Sequence, residues 1–221
     1  MKLKTFLSII VLSVVVISCS KDDDNNDALS LSFSPNAYDA VFYVPGETEA
    51  GTVVSSLGEP EISLAPGTDP AFSYNALTGK VEWSYMLPLG ENVATVVAKV
   101  GDREATTDIL VNNVFQGDFS GGYNYDEGST ALTSVNFALQ FNPDGTLLLN
   151  DDGAPGTGTW TRMDNLIEFT WSYDAEPGVF YTFHGETLVY NAAEAYLSGL
   201  WYDGEDTSGA VQGYFRINYQ D

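Results

Sequence analysis

Basic residues are scarce in this chain. Eight Lys and Arg stand against 31 Asp and Glu in 221 residues, a net charge of −23. Phosphate is bound by clustered Lys and Arg, so this balance excludes nucleic acid as a partner and argues against docking on anionic lipid headgroups. One His and one Cys leave no donor set for zinc, which takes several such ligands at suitable spacing. The single Cys, Cys19, also excludes an intramolecular disulfide. There is no Gly-x-Ser-x-Gly elbow, and a Ser-His-Asp site would rest on His184, read as an exposed strand-end residue beside Gly185. Long apolar runs are missing too. Phe6–Ile17, twelve residues broken by Ser8 and Ser13, falls short of the roughly 20 needed to cross a bilayer. After Asp27 no stretch keeps a helical period, and Asn191–Ala195 is the one candidate helical turn.

What is present at the N-terminus is an address. Lys2 and Lys4 precede the apolar run, as in a secretory signal. The run ends Val16-Ile17-Ser18-Cys19, which resembles the lipobox of bacterial lipoproteins. That resemblance implies a signal peptide over residues 1–18, cleavage before Cys19, and diacylation of its thiol. The expected partner there is a membrane, held through lipid chains at roughly 0.8 kcal/mol per buried CH₂. Ser20 follows the Cys, which by resemblance to lipoprotein sorting rules allows transfer to the outer membrane. Residues 19–27 continue as Lys21-Asp22-Asp23-Asp24-Asn25-Asn26-Asp27. Like charges keep such a segment extended as a tether. It also resembles the acidic export signal of surface lipoproteins, implying a lipid-anchored protein exposed on the cell surface.

An apolar content of 44% and an aromatic content of 13% are ample for a folded core. Period-2 alternation and Gly/Pro/Asn/Asp punctuation predict an all-β chain that divides near Asn112-Asn113. Residues 28–113 predict short strands at Leu29–Ser34, Asp39–Val44, Thr52–Leu57, Glu61–Leu64, Phe72–Asn75, Lys80–Tyr85, Val93–Val100 and Ala105–Val111. Leu77-Thr78-Gly79-Lys80-Val81, Leu87-Pro88-Leu89-Gly90 and the closing Thr107–Asn113 resemble the bacterial immunoglobulin-like or cadherin-like modules of surface proteins. The resemblance implies a β-sandwich. Trp83, Phe42, Tyr74 and Val96 are its expected core.

Residues 114–221 hold 20 of the 29 aromatics. Val135, Phe137, Leu139 and Phe141 share one parity, as do Ile167, Phe169, Trp171 and Tyr173, and again Val211, Gly213, Phe215, Ile217 and Tyr219. Eight strands are predicted: Gly117–Tyr125, Leu132–Phe141, Thr146–Leu149, Gly158–Arg162, Leu166–Tyr173, Val179–His184, Ala195–Tyr202 and Ala210–Tyr219. Short connections and one apolar face predict an up-and-down antiparallel β-barrel. Phe141-Asn142-Pro143-Asp144-Gly145-Thr146, Gly158-Thr159-Trp160 and Leu166-Ile167-Glu168-Phe169 resemble the lipocalin-like domains of bacterial lipoproteins. An avidin-like barrel shares that topology.

Candidate chemistry is thin. Glu168 and Glu186 are the carboxylates a glycosidase reading would use, but Glu168 is opposite the apolar face. Asp151 and Asp152, and Asp203 and Asp206, group oxygen donors in loops as Ca²⁺ requires, without the EF-hand spacing; they serve equally as hairpin loops. No cofactor is called for beyond that candidate Ca²⁺. Trp160, Trp171, Tyr173, Phe183, Trp201 and Phe215 either line a ligand cavity or fill the barrel. Tyr181, Tyr196, Tyr202 and Tyr214 would form an outer stacking surface for sugars. The leading expectation is a non-enzymatic envelope binding module for a small apolar or amphipathic ligand or a protein partner. The alternatives are a glycan-binding accessory lipoprotein of a nutrient-uptake system, and an envelope hydrolase or enzyme inhibitor.

Overall fold

The computed structural model describes residues 28–220. Cys19, the signal segment and the acidic tether lie outside the described residues. The described chain is all-β. Its last eight strands are β10 (Gly117–Tyr123), β11 (Ser134–Phe141), β12 (Thr146–Asp151), β13 (Ala154–Met163), β14 (Leu166–Tyr173), β15 (Tyr181–Tyr190), β16 (Ala195–Asp203) and β17 (Val211–Tyr219). Each pairs antiparallel with the next, and β17 returns to β10, closing an up-and-down barrel.

The expected parities place the inward side chains. Phe137, Phe141, Phe169, Phe183, Phe215 and Ile217 are all at or below 1% exposure. Val135 departs from its parity mates and is 65% exposed. Glycines stand opposite the largest rings: Gly121 faces Phe137, Gly158 faces Trp171, Gly199 faces Phe215 and Gly213 faces Trp201. Alternating small and large residues lets a narrow barrel hold this many rings. The lumen is therefore packed through its middle.

Some expectations fail locally. Strand β15 runs to Tyr190, well past His184, because Gly185 faces inward opposite Ile167 instead of ending the strand. Asn191–Ala195 is no helical turn: Asn191 N–H donates to Glu194 O at 2.9 Å, and Asn191 Oδ1 accepts from Ala193 N–H, closing a hairpin. The strand after Arg103 reaches Val114, beyond the expected Val111.

The N-terminal strands are β1 (Leu29–Ser32), β2 (Ala37–Val41), β3 (Gly46–Glu47), β4 (Thr52–Ser55), β5 (Glu61–Leu64), β6 (Phe72–Asn75), β7 (Lys80–Trp83), β8 (Gly90–Val100) and β9 (Arg103–Val114). They form small sheets: β1-β4, β2-β9-β8-β5 and β3-β7-β6. Leu31, Phe72, Val81, Trp83, Val96 and Ile109, drawn from all of these sheets, meet in one apolar cluster. Tyr74 packs against its edge.

Phe42 does not join that cluster. Strand β2 runs parallel to β9, and Phe42 N–H donates to Val114 O at 3.0 Å. The parallel pairing carries Phe42 and Phe115 side by side into one end of the barrel. There the fully buried Phe42 ring meets Phe115 at 5.2 Å, Tyr190 at 5.4 Å and Tyr219 at 5.9 Å between centroids. Tyr43 adds a hydrogen bond from its hydroxyl to Asn191 O at 2.7 Å. One end of the barrel is thus stoppered by the N-terminal region, and the other is open.

Candidate functional site

The strand directions send four connections to the open end: 124–133, 152–153, 174–180 and 204–210. Among them lies a recess of about 290 Å³, near the small end of the roughly 300–1,000 Å³ usual for small-molecule sites. Its walls are almost wholly aromatic. Tyr123, Tyr125 and Trp201 form one group, with ring planes at 75°, 72° and 78° to one another and centroids 5.3–5.7 Å apart. These are three mutually steep planes, like the walls at a box corner. Trp171, Tyr173 and Tyr181 form the second group, with Trp171 and Tyr181 tilted by 31° and Tyr173 set across them at 85° and 68°. Tyr181 and Trp201 join the groups at 6.4 Å. Phe183, Asp203 and Gln212 complete the lining.

Backbone irregularities build this mouth. Pairing between β16 and β17 takes Trp201 to Gly213 and Tyr202 to Val211, so Gln212 is the extra residue of a bulge. Bulges re-aim side chains, and this one turns Gln212 into the recess although its parity is that of the outer face. A side chain at Gly213 would press within 2.0 Å of Asn124 O and 2.8 Å of Trp201 Nε1. The buried Asn124 fixes the longest mouth loop. Its amide donates to Ser129 O and Ala131 O, and its Oδ1 accepts from Asp126 and Tyr214 N–H groups. Asn124 O also accepts from Trp201 Nε1 at 2.7 Å.

The polar groups of the mouth are asymmetric. Asp151 ends β12 where Asp152 (φ 48°) and Gly153 (φ 91°) make a tight hairpin turn. Asp151 Oδ2 accepts hydroxyl protons from Tyr123 at 2.8 Å and Tyr173 at 2.6 Å. Burial first, then these bonds to a carboxylate, raise the pKa of both tyrosines well above the ordinary phenol value. Tyr181 is raised as well, mainly by burial and then by the charges of Glu176 and Asp203. Trp171 Nε1 is different. It is buried and makes no hydrogen bond. The indole lies near enough to Tyr173 to offset part of that tyrosine's shift.

The charge around the opening is of one sign. The connection after β10 carries Asp126 and Glu127, and the β12–β13 turn carries Asp152 beside Asp151. The connection after β14 adds Asp174 and Glu176. The one after β16 adds Glu205 and Asp206 beside Asp203. None of the four connections contains Lys, Arg or His. Arg216 is paired with Glu194 at 2.8 Å, where the closed-end 191–194 connection lies.

Of the expected cavity residues, Trp171, Tyr173, Phe183 and Trp201 line the recess. Trp160 does not: its Nε1 donates to Asn142 O at 2.8 Å, and its ring meets Phe115 at the closed end. Phe215 lies below the recess, stacked on Phe183 at 4.4 Å. Tyr181, expected outside, faces in. Tyr196, Tyr202 and Tyr214 are on the outer face, with the Arg216 guanidinium 3.8 Å over the Tyr196 ring. The sequence reading missed Tyr123, Tyr125 and Gln212. Tyr123 shares the parity of Phe119 on its strand, a usable signal; the others depend on a loop and a bulge.

The metal candidates do not gather. Asp151 is committed to the two tyrosines, Asp152 accepts from Asn136 at 3.0 Å, and Asp206 accepts from Ser208 N–H at 2.8 Å. Among the described residues no group of three or more His, Cys, Asp or Glu side chains is placed to hold a metal. His184 Nδ1 is 2.9 Å from Glu168 Oε2 on the outer face of β14 and β15. Compared with protein-family models and with curated proteins, this chain matches none.

Proposed function

We propose that this chain is a lipid-anchored envelope protein whose barrel binds a small amphipathic molecule in the open-mouth recess, without catalysing a reaction. The observation that carries the reading is an aromatic-walled recess whose lining includes Trp171, the buried indole N–H of which makes no hydrogen bond. A buried donor left without an acceptor costs roughly 1–3 kcal/mol, a cost that a ligand acceptor would remove. The barrel is of lipocalin-like or avidin-like type in this reading. The N-terminal region acts as an immunoglobulin-like spacer carried on the acidic tether after Cys19. Its contacts are at the stoppered end, opposite the mouth.

The test is native mass spectrometry of residues 28–221, which hold every described strand. A small adduct that is lost on Trp171→Ala is expected. A bare mass, together with no response to a panel of small amphiphiles, would contradict the reading.

A further inference from the structure

We propose that the recess takes a small organic cation, an alkylammonium group that also carries an oxygen acceptor, with the cationic end among the aromatic rings and the oxygen on Trp171 Nε1. This rests on the reading of the mouth as a ligand site. Two features select the charge, and a third selects the oxygen. The first is the box of rings. Tyr123, Tyr125 and Trp201 pack edge to face in three steep planes on the wall of the recess, and Trp171, Tyr173 and Tyr181 complete its aromatic lining. Aromatic cages of this kind attract ammonium groups through the negative faces of their rings, by roughly 0.5–2 kcal/mol per contact.

The second feature is the sign of the field. The recess lining contains Asp203 and no Lys, Arg or His, and the four connections around it carry acids alone. An anionic ligand would meet repulsion from each of them. A cation would be drawn in, since a cleft lined by one sign of charge concentrates the opposite ion. Asp151 adds charge behind the wall: its Oδ2 accepts hydrogen bonds from the Tyr123 and Tyr173 hydroxyls, which enriches both rings in electron density.

The third feature is an unmet hydrogen-bond demand in the barrel. Trp201 Nε1 is satisfied by Asn124 O, and Trp160 Nε1 by Asn142 O. Trp171 Nε1 alone of these three barrel indoles lacks an acceptor. It cannot be served by the cation itself, so the ligand carries an oxygen beside its ammonium group. A volume of about 290 Å³ has room for a molecule of choline size.

The experiment is isothermal titration of the full chain, held in a nonionic detergent, with choline and with tert-butylethanol, the uncharged isostere in which carbon replaces the quaternary nitrogen. Choline is expected to bind about tenfold tighter than the isostere, with affinity falling as salt is added. Trp171→Phe is expected to weaken choline several-fold and tetramethylammonium, which has no oxygen and loses only the difference between an indole and a phenyl face, distinctly less. Asp203→Asn, on the exposed rim, is expected to weaken choline and not the isostere. Phosphocholine places a phosphate among the rim acids and is expected to bind at least about tenfold more weakly than choline, which separates a free cation from a lipid headgroup. Equal binding of choline and its isostere would overturn the cation assignment while leaving the mouth as a ligand site. Equal binding of phosphocholine would overturn the assignment to a free cation. No binding of any probe, with an adduct still present in native mass spectrometry, would overturn the cation class alone; no binding and no adduct would remove the ligand site with it.

Discussion

The Tyr173 hydroxyl donates to Asp151 Oδ2 across 2.6 Å, and Tyr123 donates to the same oxygen from the far side of the barrel mouth. One carboxylate therefore ties β10, β12 and β14 together at the rim. The arrangement has a pH signature. Unfolded, both tyrosines ionise near the ordinary value of 10.0; folded, both stay protonated well past it. Above that pH the unfolded chain binds fewer protons than the native one. The stability these tyrosines contribute is complete below the unfolded value and is lost as pH rises through the folded values. Asp151→Asn is expected to bring both ionisations earlier in a spectrophotometric titration, without restoring the ordinary value, because burial is the larger cause. It is also expected to cost about 1–2 kcal/mol at neutral pH by denaturant unfolding, since bonds to a charged acceptor are replaced by neutral ones. An unchanged tyrosinate curve would show that the bond is not held in solution.

Phe42 belongs by sequence to the N-terminal region and by packing to the barrel. Phe42→Ala is expected to destabilise the protein by about 3–5 kcal/mol, the usual cost of truncating a buried Phe. The readout that matters is where the effect falls. Near-ultraviolet circular dichroism of the barrel aromatics is expected to change, because Phe115, Phe119, Tyr190 and Tyr219 lose a shared neighbour. A variant that alters only the N-terminal strands would contradict the stopper.

Asn124 satisfies four backbone groups from one side chain at 1% exposure. Asn124→Ala is expected to cost about 1–3 kcal/mol, with buried partners left unpaired. Hydrogen exchange is expected to rise most at Asp126 and Tyr214, whose N–H groups lose their acceptor, and little at the closed end.

The His184–Glu168 pair sits on the outer face with side chains 24% and 38% exposed. Exposed pairs contribute at most about 1 kcal/mol. His184→Ala is expected to shift unfolding by less than that and to leave binding at the mouth unchanged. A larger effect on binding would assign the pair a role at the mouth that its outward position does not support.

Much of the barrel is legible in the sequence, because its information is local. Ile167, Phe169, Trp171 and Tyr173 alternate cleanly, and β14 is found between the residues that parity predicts. The Asn142–Gly145 turn places Gly145 at φ 85°, as its composition implies. What is not legible depends on partners distant in the chain. Gly185 reads as a strand end until Ile167 is seen opposite it. Phe42 alternates like any strand residue, and nothing nearby says which core receives it. The parallel β2–β9 pairing joins residues some seventy positions apart, such as Ala40 and Asn113. At the mouth, the strand aromatics follow parity, while Gln212 follows a bulge and Tyr125 a loop. Asp151 reads as a loop oxygen donor, and its two tyrosine partners become neighbours only when the barrel closes.

The chain has four tryptophans, Trp83, Trp160, Trp171 and Trp201, and each reports a different place. Their indole N–H resonances in a nitrogen-labelled sample, with Trp171 assigned by its loss in Trp171→Phe, follow occupancy of the mouth directly. On titration with choline the Trp171 signal is expected to move downfield as its N–H gains an acceptor. Trp201 is expected to shift less, and Trp83 and Trp160 to stay in place. A Trp171 signal that stays fixed through saturating ligand, or movement confined to Trp83 and Trp160, would contradict a binding site at the open end of the barrel.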